Sequence, residues 1–86
     1  MKIKEGFLLR QVAGQTVVLP TDADLDLNMM ITLNDTGAFL WNELQQDSNE
    51  AALTAALLRE YEVDKQTAEL AVAAFVKKLD ENGFLA

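Results

Sequence analysis

Few side chains in this sequence could perform catalysis. The chain contains no histidine and no cysteine, which removes the commonest general base, the commonest metal ligand and the thiolate nucleophile. Ser48 is the only serine, and without a histidine it has no activating base, so helix capping explains it better. The four glycines are scattered and form no phosphate-binding loop. The sequence therefore predicts a protein that is not an enzyme and has no cofactor.

Closely spaced carboxylates are the remaining candidates for a metal site. Two sets are present: Asp22, Asp24 and Asp26, and Glu60, Glu62 and Asp64. The first set resembles the start of a calcium loop, but it lacks the glycine at the sixth position and the glutamate at the twelfth. We interpret both sets as solvated turn and helix-end residues, and we predict no metal site.

The first part of the chain, residues 5 to 33, has the patterns of β-strands. Two β-prone runs, 7–12 and 16–19, flank a short connection with Gly14, which predicts a hairpin. A third run has the period of two that is typical of a strand with one buried face, its apolar positions being Leu25, Leu27, Met29, Ile31 and Leu33. We expect residues 29 to 33 to be the best-ordered part of this strand.

The rest of the chain predicts three helices. Their expected N-caps are Asn34, Ser48 and Asp64, and we expect them to end near residues 46, 61 and 82. The last helix should bury a seam made of Val72, Phe75, Val76 and Leu79. Three strands followed by three helices indicate a single α+β domain over residues 1–86, with a helix-turn-helix between the last two helices.

One glycine is unexpected in this pattern. Gly37 lies in the first turn of the first helix, where glycine costs about 1 kcal/mol relative to alanine. We expect this cost to be offset by close packing of Gly37 against a neighbouring backbone.

Charge limits the partners that the chain could bind. Fourteen acidic residues against seven basic ones give a net charge of -7, which repels nucleic-acid phosphates and anionic membranes. The chain starts without the apolar run of a signal peptide, and no stretch is long enough to span a bilayer, so we expect a cytoplasmic protein. A winged-helix regulator that binds DNA stays the alternative, because the last helix begins with Lys65, Gln66 and Thr67.

The third strand is the most promising binding surface. Residues 29 to 33 contain no charge and no proline, although proteins normally protect exposed strand edges with these residues. In one interpretation the last helix covers the strand, and Met30 belongs to a second small core. In the other, the strand accepts an extended peptide by β-augmentation. The same edge could instead pair with a second copy of the chain and form a homodimer.

Three segments of the sequence resemble the pyrroloquinoline quinone synthesis protein D (PqqD) family. They are residues 12–15 with 17–20, the segment from Leu33 to Trp41, and residues 75–79 with 83–85. The most specific of them has the pattern Leu-Asn-x-Thr-Gly-x-x-x-Trp. The resemblance covers essentially the whole chain in the right order.

This resemblance implies a winged helix-turn-helix fold and a function in natural product biosynthesis. Members of the family are recognition elements for ribosomally made precursor peptides (RiPP recognition elements). In that family the leader peptide adds a strand to the third strand, with the last helix as the other wall. A radical S-adenosylmethionine enzyme is the usual tailoring partner in the founding pathway. Carried over to this chain, the peptide-binding residues are Met29, Met30, Ile31, Thr32, Leu33, Ala71, Ala74, Phe75 and Lys78. The resemblance thus implies a non-catalytic peptide chaperone.

Overall fold

The computed structural model describes residues 1–21 and 31–86. Its elements are β1 (Phe7–Val12), β2 (Gln15–Pro20), β3 (Ile31–Leu33), α1 (Asp35–Glu43), α2 (Glu50–Glu60) and α3 (Lys65–Glu81). The strands form one antiparallel sheet in the order β1-β2-β3. The predicted α+β class, with three strands followed by three helices, is therefore confirmed, and the arrangement fits a winged helix-turn-helix. Four residues that the sequence analysis assigned to the third strand lie outside the described residues: Leu25, Leu27, Met29 and Met30.

A two-residue turn joins β1 to β2. Ala13 and Gly14 both have positive φ, of 52° and 80°, as a type I′ hairpin turn requires. The predicted hairpin is confirmed, and Gln15 already belongs to β2, where it pairs with Val12. The turn sets the register of the hairpin, since Leu9 lies opposite Val18 and Leu8 lies opposite Leu19.

One face of the sheet packs against the three helices. Val18 and Leu33 are buried there, and Ile31 is half-buried against the same core. The helices contribute Leu40, Trp41, Leu44, Leu53, Leu57, Ala68, Val72, Phe75 and Leu79 to this core. The predicted seam of α3 is confirmed, with Val76 half-buried at its margin.

The helix N-termini follow the predicted caps at two of three positions. Asn34 Oδ1 accepts a hydrogen bond from Gly37 N at 2.7 Å, and Asp64 Oδ1 accepts one from Thr67 N at 2.7 Å. The cap predicted at Ser48 is wrong, because Asn49 Oδ1 accepts the hydrogen bond from Ala52 N instead.

The backbone of Ser48 has a different partner. Its N–H donates to Met1 O at 2.8 Å, so the N-terminal segment holds this residue just before the helix. Asparagine is an equally good cap, and α2 therefore starts one residue later than expected.

The two ends of the chain pair with each other, which the sequence did not indicate. Ile3 forms an antiparallel bridge with Leu85, and Ile3 N donates to Leu44 O at 3.0 Å. This contact coincides with the end of α1 at Glu43, earlier than the expected residue 46.

Gly83, at φ 75°, terminates α3 as predicted, and Phe84 N then donates to Leu79 O at 2.9 Å. Within the described ranges, no helix is long and apolar enough to cross a bilayer.

Candidate functional site

The outer edge of β3 is a candidate binding surface. β3 is the last strand of the sheet, and no other strand in residues 1–21 and 31–86 pairs with its outer edge. Thr32 is exposed on this strand, between the half-buried Ile31 and the buried Leu33. The backbone groups of an edge strand are ready to pair with another extended segment.

The pairing register shows which backbone groups of β3 point outward. Thr21 N donates to Gly6 O at 2.8 Å, so the odd-numbered residues of β2 direct their backbone groups towards β1. Thr16 and Val18 therefore face β3, where they lie opposite Leu33 and Ile31. Because bonded and non-bonded pairs alternate along an antiparallel ladder, Thr32 directs both its N–H and its C=O to the outer edge.

A groove runs beside this edge, between β3 and α3. Its volume is about 640 Å³, and its lining residues are Thr32, Leu33, Asn34, Thr36, Gly37, Leu40, Ala71, Ala74, Phe75 and Lys78. Phe75 is 9% exposed and also belongs to the core, so it forms a fixed apolar floor. Ala71 and Ala74 have small side chains that leave room above this floor.

Most of the residues carried over from the family resemblance meet in this groove. Thr32 and Leu33 line it from the strand, and four residues line it from the helix: Ala71, Ala74, Phe75 and Lys78. Ile31 is not among the lining residues, because its side chain packs against the hydrophobic core. Met29 and Met30 lie outside the described residues.

The first turn of α1 forms a third wall that the sequence analysis did not place at the site. Asn34, Thr36 and Gly37 line the groove, although they were interpreted only as a cap and helix residues. A Cβ on Gly37 would lie 3.1 Å from Asn34 Oδ1 and 3.4 Å from Phe75 Cε1. The expectation that Gly37 packs against a neighbouring backbone is therefore wrong, since its neighbours are side chains. Gly37, a glycine in the first turn of a helix, was the signal in the sequence that could have indicated this wall.

The groove has the chemistry of a binding site. Among the described residues that line it, Lys78 is the only ionisable one, and the other lining side chains are apolar, amide or hydroxyl groups. Among the residues that the structure describes, no three His, Cys, Asp or Glu side chains lie close enough to hold a metal ion. The carboxylates of Asp22, Asp24 and Asp26 lie outside those residues. In the other carboxylate set, which contains Glu60, Glu62 and Asp64, Asp64 caps α3. The backbone N–H and hydroxyl of Thr67 lower the pKa of the Asp64 carboxyl group.

Comparison with known proteins links this geometry to a family. The model of the family described as Coenzyme PQQ synthesis protein D (PqqD) matches residues 15–85. TbiB1 in complex with the TbiA(beta) leader peptide is similar in structure, with a TM-score of 0.74 and 22% identity, covering 99% of this chain and 94% of that one. A lasso peptide synthetase B1 complexed with the leader peptide has a TM-score of 0.71 and 29% identity, covering 96% and 93%. A search of curated proteins finds no match.

Proposed function

This chain belongs to the coenzyme PQQ synthesis protein D family, and from that premise we propose that it binds the leader segment of a ribosomally synthesised precursor peptide. The single observation that carries the proposal is the groove of about 640 Å³ beside the outward backbone of Thr32. The similar lasso peptide synthetase B1, which is complexed with a leader peptide, supports it.

The peptide would bind by strand addition to β3. The outward N–H and C=O of Thr32 would bond to the peptide backbone, so that the peptide becomes a fourth strand of the sheet. Main-chain bonds of this kind do not depend on the peptide sequence. Selectivity must therefore come from the side chains that enter the groove.

The register predicts how those side chains alternate. In a strand the side chains point to opposite faces in turn, and Ile31 and Leu33 point to the helical face whereas Thr32 points away from it. The peptide residue opposite Thr32 would also point away, and its two neighbours would enter the groove. A cavity of about 150 Å³ holds one benzene molecule. The groove therefore has room for two large apolar side chains two positions apart.

The role that follows is presentation of the peptide without catalysis. The chain has no histidine and no cysteine, and the described lining of the groove has one lysine and no acidic side chain that could act with it. By holding the leader segment on its edge, the chain would leave the remainder of the precursor free for a tailoring enzyme. A radical S-adenosylmethionine enzyme, the usual partner in the family's founding pathway, is one candidate for that enzyme.

A homodimer would use the same edge. Two copies could pair through their β3 strands in a two-fold arrangement, and the peptide would then compete with the second copy. Sedimentation with and without peptide would separate the two states. We expect added peptide to convert any such dimer to a peptide-bound monomer.

A displayed library of random nine-residue peptides tests the proposed function. We expect selected peptides to carry two apolar residues separated by one position and to bind the purified chain in calorimetric titration. Ala74→Tyr should weaken their binding at least tenfold by filling the groove. Ala73→Tyr is the matched control, because Ala73 is exposed on the same helix but does not line the groove.

Two results would contradict this function. One is the failure to select any peptide that Ala74→Tyr displaces. The other is a change in peptide mass after incubation with this chain alone, which would indicate catalysis.

A further inference from the structure

A second, smaller pocket continues from the groove at the end of the sheet near the hairpin turn. Its volume is about 350 Å³, and its lining residues are Gln11, Gly14, Gln15, Thr16, Thr32, Leu33, Asn34 and Asp35. It shares Thr32, Leu33 and Asn34 with the groove, so the two form one continuous surface. A peptide that lies along β3 and continues past Leu33 would reach it.

This pocket differs from the groove in polarity and in charge. Amide and hydroxyl groups dominate its lining, and Gln11 Nε2 donates to Thr16 Oγ1 at 2.9 Å on its floor. Of the described lining residues, Asp35 is the only ionisable one in this pocket, and Lys78 is the only ionisable one in the groove. None of the salt bridges in the described part of the chain involves Asp35. Oxygen acceptors around one exposed carboxylate fit a cationic side chain that has several N–H donors.

Resting on the peptide-binding function proposed above, we propose that this pocket is a second subsite, which binds an arginine or lysine side chain of the same peptide. The peptide residue opposite Leu33 points to the helical face, where the pocket begins. Because that residue is one of the two apolar residues of the groove, the cationic residue would be the next inward-pointing one, two positions further along the peptide.

The second subsite has a physical purpose, because backbone pairing alone specifies the register poorly. The described part of β3 has three residues, and Thr32 supplies its outward bonds. A slip by one residue would turn every peptide side chain to the opposite face. A cation beside Asp35 at one end, and the apolar side chains over Phe75, would exclude the slipped registers.

The displayed library of random nine-residue peptides is again the probe. We expect arginine or lysine to be enriched at one fixed distance from the two apolar positions. In titrations with a selected peptide, Asp35→Asn should weaken binding about two- to fivefold, which lies within the range for an exposed ion pair. The difference in affinity between the two proteins should shrink with added salt. The same peptide with glutamine in place of its cationic residue should bind both proteins equally.

A matched variant separates a local contact from general attraction by the acidic protein. Glu43→Gln removes the same charge from the other end of α1, outside both pockets, and should leave the affinity unchanged. If Asp35→Asn and Glu43→Gln weaken binding equally, or if no basic residue is enriched, the subsite is wrong while the groove stands. If Ala74→Tyr displaces none of the selected peptides, the proposed function and the subsite both fail.

Discussion

At the scale of single residues, Gly37 links the stability of the fold to the shape of the groove. Its N–H donates to the capping oxygen of Asn34, and its Cα faces the ring of Phe75. A methyl group there would lie 3.1 Å from Asn34 Oδ1, which is tight for a Cβ atom, and it would touch the Phe75 ring at 3.4 Å. The glycine therefore lets α1 approach α3 closely at the floor of the groove.

We predict that Gly37→Ala destabilises the protein, although alanine favours helices more than glycine does. The gain in helix propensity is about 1 kcal/mol, and the cost of overpacking is about 2 kcal/mol. The free energy of unfolding should therefore fall by about 1 kcal/mol, measured by denaturant unfolding with the fluorescence of Trp41, the only tryptophan and a buried one. Ala38→Gly, at the next position, is the control for propensity alone. If Gly37→Ala instead stabilises the protein by about 1 kcal/mol, the close packing is not restrictive.

At the scale of elements, β3 has two functions that belong to different sides of the strand. Ile31 and Leu33 direct their backbone groups to β2 and their side chains to the core. Thr32 directs its backbone groups to the open edge. Folding and peptide binding can therefore be disturbed separately by substitutions at adjacent residues.

Proline substitutions should make this separation visible. Ile31→Pro removes an N–H that faces Val18 and leaves the carbonyl of Val18 without its partner. It should therefore lower the free energy of unfolding by about 2 kcal/mol more than Ile31→Ala does. Thr32→Pro removes an N–H that faces outward, so its melting temperature should stay close to that of the parent. Its affinity for a selected peptide should fall at least tenfold, whereas Thr32→Ala should keep most of the affinity. Circular dichroism melts and calorimetric titration give the two readouts. Unchanged peptide binding by a folded Thr32→Pro would show that the peptide does not pair with this edge.

At the scale of the whole molecule, charge separates this chain from winged-helix proteins that bind DNA. The net charge is -7, and two of the three basic residues of α3 are engaged with glutamates on the same helix: Lys65 with Glu69 and Lys77 with Glu81, both at 3.8 Å. Such exposed pairs add little stability, but they reduce the positive potential of the helix.

We therefore predict no salt-dependent binding to duplex DNA. A mobility-shift titration at about 50 mM salt, where counterion release favours binding most, should show no complex at micromolar protein. The positive control is the double variant Glu69→Lys/Glu81→Lys, in which α3 is basic. This variant should bind duplex DNA weakly and without sequence specificity. A complex of the parent protein that weakens steeply with salt would favour the regulator alternative.

The sequence by itself determined the features that depend on neighbouring residues. The period of two placed Ile31 and Leu33 on the buried face, and the spacing of Val72, Phe75 and Leu79 placed them in the core. The caps at Asn34 and Asp64 were predictable because a capping side chain bonds to a backbone group only three residues away. These interactions act over a few residues, so the local pattern contains them.

Only the tertiary structure decided which side of each strand and turn faces the groove. The outward direction of Thr32 depends on the pairing of three strands, and the wall at Gly37 depends on the approach of α1 to Phe75. The shift of the cap from Ser48 to Asn49 coincides with the hydrogen bond between Ser48 and Met1, which lie 47 residues apart in the chain. Contacts between distant segments leave no period in the sequence, because their partners are brought together only by folding.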